Sequence, residues 1–543
     1  MKKQLLILFI SFCTWSIVKA QNIEDGKKKF FAEQYTTAAQ LFQQILTQKP
    51  DDAFTRYWLV RTYLVKGEAQ EAKNTLAATP ASIANDPFIT IAKGAVSLQQ
   101  GDTVQARSNF TTAIGTAKKK NPAIQLAVAA INIDLIHGDL NYAIDLLNEA
   151  GKKDKNDPEL FTAMGDAYRK QYDGSQAFKA YQAAIDANKT YAVAYYKIGK
   201  IYQTQDNASV FTEYYDNALK YDSQLAPVYY QLYLWYYNKD VNKALEYLKQ
   251  YIANSAADSK NDYLLTDMLY VSRKYEDAIK AGKQLINKEG MLVKPRIYKL
   301  IAYSYDGLND YKNADNYMKL YFNKEADSNY VAKDFEMLGK IDEKNNLPAE
   351  AALAYEKAYH MEKDSSLQLN YVTKLASFYK AQKDHVKEAY WQGKLYGLKK
   401  NATNVDLFQW GVAAYNAKDY HMADSAFGIY ERKYPEQTFG YYWNARSAAA
   451  IDTAMETGIA IPHYTHLIEI AGKDTANATN RKWLIQAYGY IAAYKVNKEK
   501  QYNEALTYYD KILALDPANN DAEHYKSILN KMIESASKNG TNN

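Results

Sequence analysis

Three potential metal ligands crowd one stretch of the chain, where His463, His466 and Glu469 follow one another at three-residue steps. On a helix such a series keeps roughly to one side, and a shared face is what a zinc site requires. The steps still carry it round the helix, and the two-histidine zinc signature uses a four-residue gap with a glutamate inside it. The spacing therefore reads as a surface pair, and no metal is expected. The other histidines, His137, His360, His385, His421 and His524, each stand near an expected turn or helix end with no second histidine close by, as solvated imidazoles do. No glycine-rich phosphate loop, nucleophile elbow or cysteine cluster occurs in the sequence. Carboxylate pairs such as Asp51 with Asp52 and Asp306 with Asp310 fall where turns and helix caps belong. The chain reads as non-catalytic, with no catalytic residue and no cofactor.

The elements that would position any site are helical. Of 543 residues only 23 are Gly and 11 Pro, while Tyr reaches 51 against 17 Phe and 7 Trp. Few helix breakers over such a length favour helix, and the length exceeds what one compact core supports. Residues 1–20 read as a secretory signal: Lys2 and Lys3 begin it, Leu5 to Val18 form an apolar core too short to span a bilayer, and Val18-Lys19-Ala20 ends it. The mature chain is expected to start at Gln21, exported to the periplasm of a Gram-negative bacterium, with no membrane span left after cleavage. The one cysteine, Cys13, lies within this segment behind the bulky Phe12, which argues against a lipid anchor. Loss of Lys2, Lys3 and Lys19 lowers the net charge from +5 to +2. With acids and bases interspersed, nucleic acid is not an expected partner.

A period near 34 residues runs through the rest. Small residues recur at Ala38, Ala72, Ala106, Ala143, Ala177, Ala244, Ala278, Ala314, Ala351, Ala389, Ala423, Ala460 and Ala505, with Phe211 the exception in the series. Four residues on stands a bulky one, such as Phe42, Leu147, Tyr181, Met318 or Phe427, except at Gly282 and Gly393. One helical turn separates the two, so the small residue lets two helices approach and its neighbour fills the next layer. Upstream, a glycine or alanine precedes an aromatic by three, as in Gly165 and Tyr168 or Gly199 and Tyr202, and prolines close units at Pro50, Pro435 and Pro517. Pro462 is tolerable only in a first turn, so that second helix is expected to start near Ile461, and the long step before Ala505 implies a first helix over about residues 478–498.

The segments EQYTTAAQLFQQILTQKP (33–50) and YNEALTYYDKILALDP (502–517) resemble the tetratricopeptide-repeat family, in the style of exported Bacteroidota members. The resemblance implies an all-α, right-handed superhelical solenoid of about fourteen hairpins over residues 21–522, with the first helix of each lining a concave face. A capping helix is expected over residues 523–537, with Tyr525, Ile528, Leu529 and Met532 on one face, and a flexible tail over 538–543. Projected on this sequence, the concave positions are Tyr57, Tyr196, Tyr229, Tyr233, Tyr236, Tyr303, Tyr371, Phe408, Tyr490 and Tyr494, with Phe378 and Tyr415 beside them and Arg61, Lys200, Lys299, Lys340 and Lys374 interspersed. Tyrosine offers large contact area and a hydrogen-bonding tip, which suits capture of a protein or peptide segment of the cell envelope. The alternative is a glycan-binding envelope protein using the same rings as platforms. The four tyrosines Tyr229, Tyr233, Tyr236 and Tyr237 form the densest group and are expected to exceed what the local hairpin can bury.

Overall fold

The structure is a computed structural model describing residues 23–540 apart from 118–120, with side chains described to residue 535. The expected signal segment, residues 1–20, lies outside the described residues. Helices in sequence order make fourteen hairpins, from Ile23–Phe31 with Tyr35–Gln48 to Ala478–Tyr494 with Tyr502–Leu515, and a last helix, Asn520–Gly540, follows. The architecture is an all-α solenoid in which, within each compact unit, hairpins pack on their neighbours in the chain. It divides into two compact units, Met1–Val293 and Lys294–Asn543. The first holds eight of the hairpins and the second holds six with the last helix.

The tight turns inside the hairpins share a local cause. Tyr172, Asn309, Lys383 and Lys418 take a left-handed backbone conformation, and the next residue, Asp173, Asp310, Asp384 or Asp419, caps the second helix through its carboxylate. The left-handed residue turns the chain after one helix, and the aspartate satisfies an orphan N–H at the start of the next. Pro462 sits in the first turn of Ile461–Ala471, as its missing N–H requires. The long first helix of the last hairpin, Ala478–Tyr494, continues into a π turn at Lys495–Glu499.

The fourteen repeat positions, Phe211 among them, are all buried. The structure adds a partner the period did not reveal. In six hairpins the bulky residue four after the anchor faces a first-helix glycine sixteen residues earlier, and the two share one volume. A Cβ at Gly199 would stand 2.5 Å from the Tyr215 ring and one at Gly411 2.5 Å from Phe427, while Gly26, Gly94, Gly165 and Gly339 stand likewise against Phe42, Phe110, Tyr181 and Tyr355. Where the first helix carries Val60, Ile131 or Leu232 at that position, the second carries Leu76, Leu147 or Leu248; Ala302 goes with Met318, and Thr266 with Gly282. Interiors are packed at near-crystal density, so where an aromatic ring fills this layer a glycine faces it. At Gly393 the space is taken from outside the pair, by the Trp410 indole of the following hairpin, 3.0 Å from where a Cβ would be.

The last helix buries Ala522 and Leu529 against its neighbours, but Tyr525, Ile528 and Met532 each remain more than a third exposed. It runs through residues 538–540, the start of the segment read as a tail, and residues 541–543 lie outside the described residues.

Candidate functional site

The concave positions separate into rings that are core and rings that are accessible. Tyr57, Tyr196, Tyr233 and Tyr371 are buried. The Tyr57 hydroxyl donates to the Ala127 carbonyl at 3.1 Å, two hairpins away, and that of Tyr371 to Glu336 at 3.0 Å. Tyr233 lies between Tyr230 and Tyr237, so of the tyrosines expected to be surplus to packing it is one the fold itself uses. Tyr229, Tyr236, Tyr303, Phe408, Tyr490 and Tyr494 are half-buried. Tyr229 donates to the Ser223 carbonyl at 3.0 Å, Tyr236 stacks on Tyr247, and Tyr490 packs on Tyr464.

In the first unit the inner face is closed rather than open. Pro122–Asp134 is buried almost all round, and the Arg61 guanidinium lies over Phe30 and Trp58 while its Nε donates to Asp134 at 2.7 Å. Inner faces of hairpins distant in sequence therefore meet one another, leaving a cavity of about 210 Å³ bounded by Phe31, Phe54, Trp58, Leu126, Arg61 and Glu159. Burial pushes the Glu159 carboxyl up, and its Lys27 partner works against that.

The inward cations tie hairpins together. Lys299 bonds Asp334 at 2.9 Å, Lys340 bonds Asp306 at 3.0 Å and Lys374 bonds Glu343 at 2.7 Å, each in an adjacent hairpin. Lys200 lies 5.9 Å from the centre of the buried Tyr196 ring. Charged positions expected to face a partner are thus engaged in the fold.

The second unit contains an open hollow of about 580 Å³. Three consecutive first helices, Asn404–Asn416, Thr438–Ile451 and Ala478–Tyr494, begin around it and place Phe408, Phe439 and Trp483 as its aromatic wall. Phe439 is 44% exposed and meets Phe408 at 5.7 Å and Trp483 at 5.0 Å between ring centres. Tyr442 stacks on Trp483 at 4.4 Å and holds it in place. The rim is neutral and polar: Asn404, Gln437, Thr438, Asn477, Thr479 and Asn480, with Glu436 its one ionisable group apart from Tyr430. Asn404 Nδ2 donates to Gln437 Oε1 at 2.9 Å, and the Tyr430 hydroxyl donates to the same oxygen. Of the rings named from the sequence only Phe408 belongs here. Phe439 and Trp483 were missed because they stand towards helix starts, outside the inward pattern.

The two clustered histidines turn apart. His463 Nδ1 lies 3.0 Å from Glu431, whose charge and hydrogen bond raise its pKa although burial lowers it, and His466 Nδ1 donates to the Pro462 carbonyl at 2.9 Å. Among the described residues no three metal-ligating side chains converge.

Residues 32–89 match the family model for the tetratricopeptide repeat. The chain is similar to tetratricopeptide-repeat proteins. Among solved structures, it is similar to the C-terminal part of a repeat-containing protein from Cytophaga hutchinsonii, at 29% identity over 48% of this chain and 97% of that one, with a TM-score of 0.28. It is also similar to a tetratricopeptide repeat protein from Parabacteroides merdae, at 16% identity over 53% of this chain and 98% of that one, with a TM-score of 0.23. No curated protein matches. A tetratricopeptide scaffold implies a protein–protein interaction role, and proteins of the family are generally non-catalytic. Among the described residues, no helix is long and apolar enough to cross a membrane.

Proposed function

We propose that this chain is a non-catalytic scaffold of the bacterial envelope that holds a segment of a partner protein in the hollow of its second unit. The observation that carries this reading is the half-exposed Phe439 ring, set between Phe408 and Trp483 on helix starts and ringed by amides. Exposed aromatic surface in a concave, rigid setting is where interface energy concentrates, and side-chain amides can pair with the backbone of an extended segment. A photo-crosslinker placed at Phe439 in the full chain, expressed in an envelope-bearing host, should capture a discrete protein that Phe439→Ala no longer retains. Equal retention by the variant would refute the hollow as the binding surface.

A second reading has its own support. A rim of neutral amides and hydroxyls beside aromatic rings also suits a neutral oligosaccharide, whose hydroxyls take such bonds while its rings stack. Titration with neutral oligosaccharides decides between them, since saturable binding lost in Phe439→Ala favours the glycan. The envelope location is part of this proposal, suggested by the signal-like residues 1–20, and recovery of mature protein beginning at Gln21 from envelope fractions would support it.

A further inference from the structure

The first hairpin touches not only the hairpin that follows it but also the fifth, sixth and seventh. Lys27 on Ile23–Phe31 bonds Glu159 at 2.5 Å, and Lys28 bonds Asp222 at 3.1 Å. The Gln34 side-chain amide donates to the Asn254 carbonyl, which follows the Val241–Ala253 helix. This contact is built differently from the joints between consecutive hairpins. Those bury apolar clusters, whereas the contacts made by Lys27, Lys28 and Gln34 are ion pairs and an amide bond, with Ala32 set among Ala192, Tyr196 and Phe211. Hollows of about 210 Å³ and 700 Å³ flank it, the larger bounded by Gln34, Tyr230 and Tyr251. A contact poor in buried apolar area is the part of a fold that opens at least cost.

We propose that the first unit is a clamp, shut by its own N-terminal hairpin through this polar seam, and that its partner is a lysine-rich, aromatic-bearing peptide segment that displaces Lys27 and Lys28 from Glu159 and Asp222. Opening the seam uncovers Glu159, which shares a hollow with Phe54 and Trp58, and apart from it Asp222, two carboxylates that match the charge of the Lys27-Lys28-Lys29-Phe30-Phe31 run now closing it. Charge complementarity of this kind selects a basic segment and speeds its arrival, more strongly at low salt. A tethered occupant competes at high effective concentration, so the closed chain binds such a segment weakly until the seam is loosened. The site is separate from the hollow of the second unit, and failure at one leaves the other standing.

The probe is a fluorescent peptide of residues 23–34, and the protein is the full chain. Lys27→Glu with Lys28→Glu should speed hydrogen exchange in residues 23–34 and bind the peptide at least tenfold more tightly than the unaltered chain. Adding Glu159→Lys and Asp222→Lys should abolish that gain. A zero-length carbodiimide link between Lys27 and Glu159 in the unaltered chain, located by mass, should block the peptide altogether without loss of helix. Exchange in residues 23–34 unmoved by charge reversal, peptide binding indifferent to Glu159 and Asp222, or full binding by the cross-linked chain would each overturn the clamp.

Discussion

The shared volume between first and second helix can be tested at Gly411 and Phe427, a pair with no polar group to confuse the result. A methyl at Gly411 would stand 2.5, 2.6 and 2.8 Å from three atoms of the Phe427 ring. The ring is fully buried and stacked 6.0 Å from Trp443, so it has little room to retreat. Overpacking of this sort costs roughly 1–3 kcal/mol, and three simultaneous overlaps place it near the upper end. Alanine regains about 1 kcal/mol of helix propensity over glycine, leaving Gly411→Ala less stable by about 2 kcal/mol. Phe427→Met alone leaves a gap and should cost about 1–2 kcal/mol. Together they recreate the Ala302 and Met318 pair of the ninth hairpin, both of which are fully buried. The double variant should therefore fall short of the sum of the two losses by at least about 1 kcal/mol, a coupling in the range found for residues in contact. Native-state hydrogen exchange over residues 404–433 reads the opening free energy of this hairpin by itself, which matters in an array whose repeats can open locally. Additivity to within about 0.5 kcal/mol, or a harmless Gly411→Ala, would show that the two side chains do not share one space.

Other outcomes follow from the same geometry. Ala177→Trp and Ala423→Trp, each at a fully buried hairpin crossing, should lower stability by roughly 1–3 kcal/mol or more in urea melts. Tyr233→Ala should destabilise the first unit, since its ring is buried, whereas Tyr237→Ala, at 40% exposure, should leave the urea midpoint nearly unchanged. Burial beside Asp315 pushes the Asp342 carboxyl up to about 6, so the folded chain holds that proton more tightly than the unfolded one and loses stability as pH rises through that range. Asp342→Asn should raise the midpoint of the second unit at pH 7, and the gain should shrink towards pH 5.

The repeat itself was legible because its cause is local. An alanine one turn before a bulky residue, repeated near every 34 positions, can only be satisfied by helix crossing helix, and even Phe211, which breaks the composition rule, keeps the buried place that the spacing assigns it. The facing glycine was less legible. Glycines such as Gly165 and Gly199 were noticed for the aromatic three residues on, whereas the structure seats them against the ring sixteen residues on, in the other helix. That pairing becomes visible only when volumes are compared across hairpins, glycine with aromatic and valine with leucine.

The inner surface was legible in part, for a reason that can be stated residue by residue. Which way a first-helix side chain points is set by the helix, but whether it meets solvent depends on how tightly successive hairpins coil, and that is not a local property. Tyr57 and Tyr371, expected to face a groove, are buried, and their hydroxyls bond to Ala127 and Glu336 of other hairpins. A warning was present in PAIQLAVAAINID, residues 122–134: with Gln125 and Asn132 its main polar side chains before Asp134, the helix has little water-facing surface, so something must cover its inner face as well. The same logic reassigns the inward lysines. A partner-binding cation must be free in the unbound protein, but Lys299, Lys340 and Lys374 already spend their charge on Asp334, Asp306 and Glu343 of neighbouring hairpins. Severing those pairs to bind a ligand would leave carboxylates without their cations, the Asp334 one almost fully buried, a cost that argues for structural struts over ligand clamps. In the second unit recognition then falls to surface that the fold has left uncommitted, which is why a ring at a helix start such as Phe439 is a stronger candidate than Tyr371.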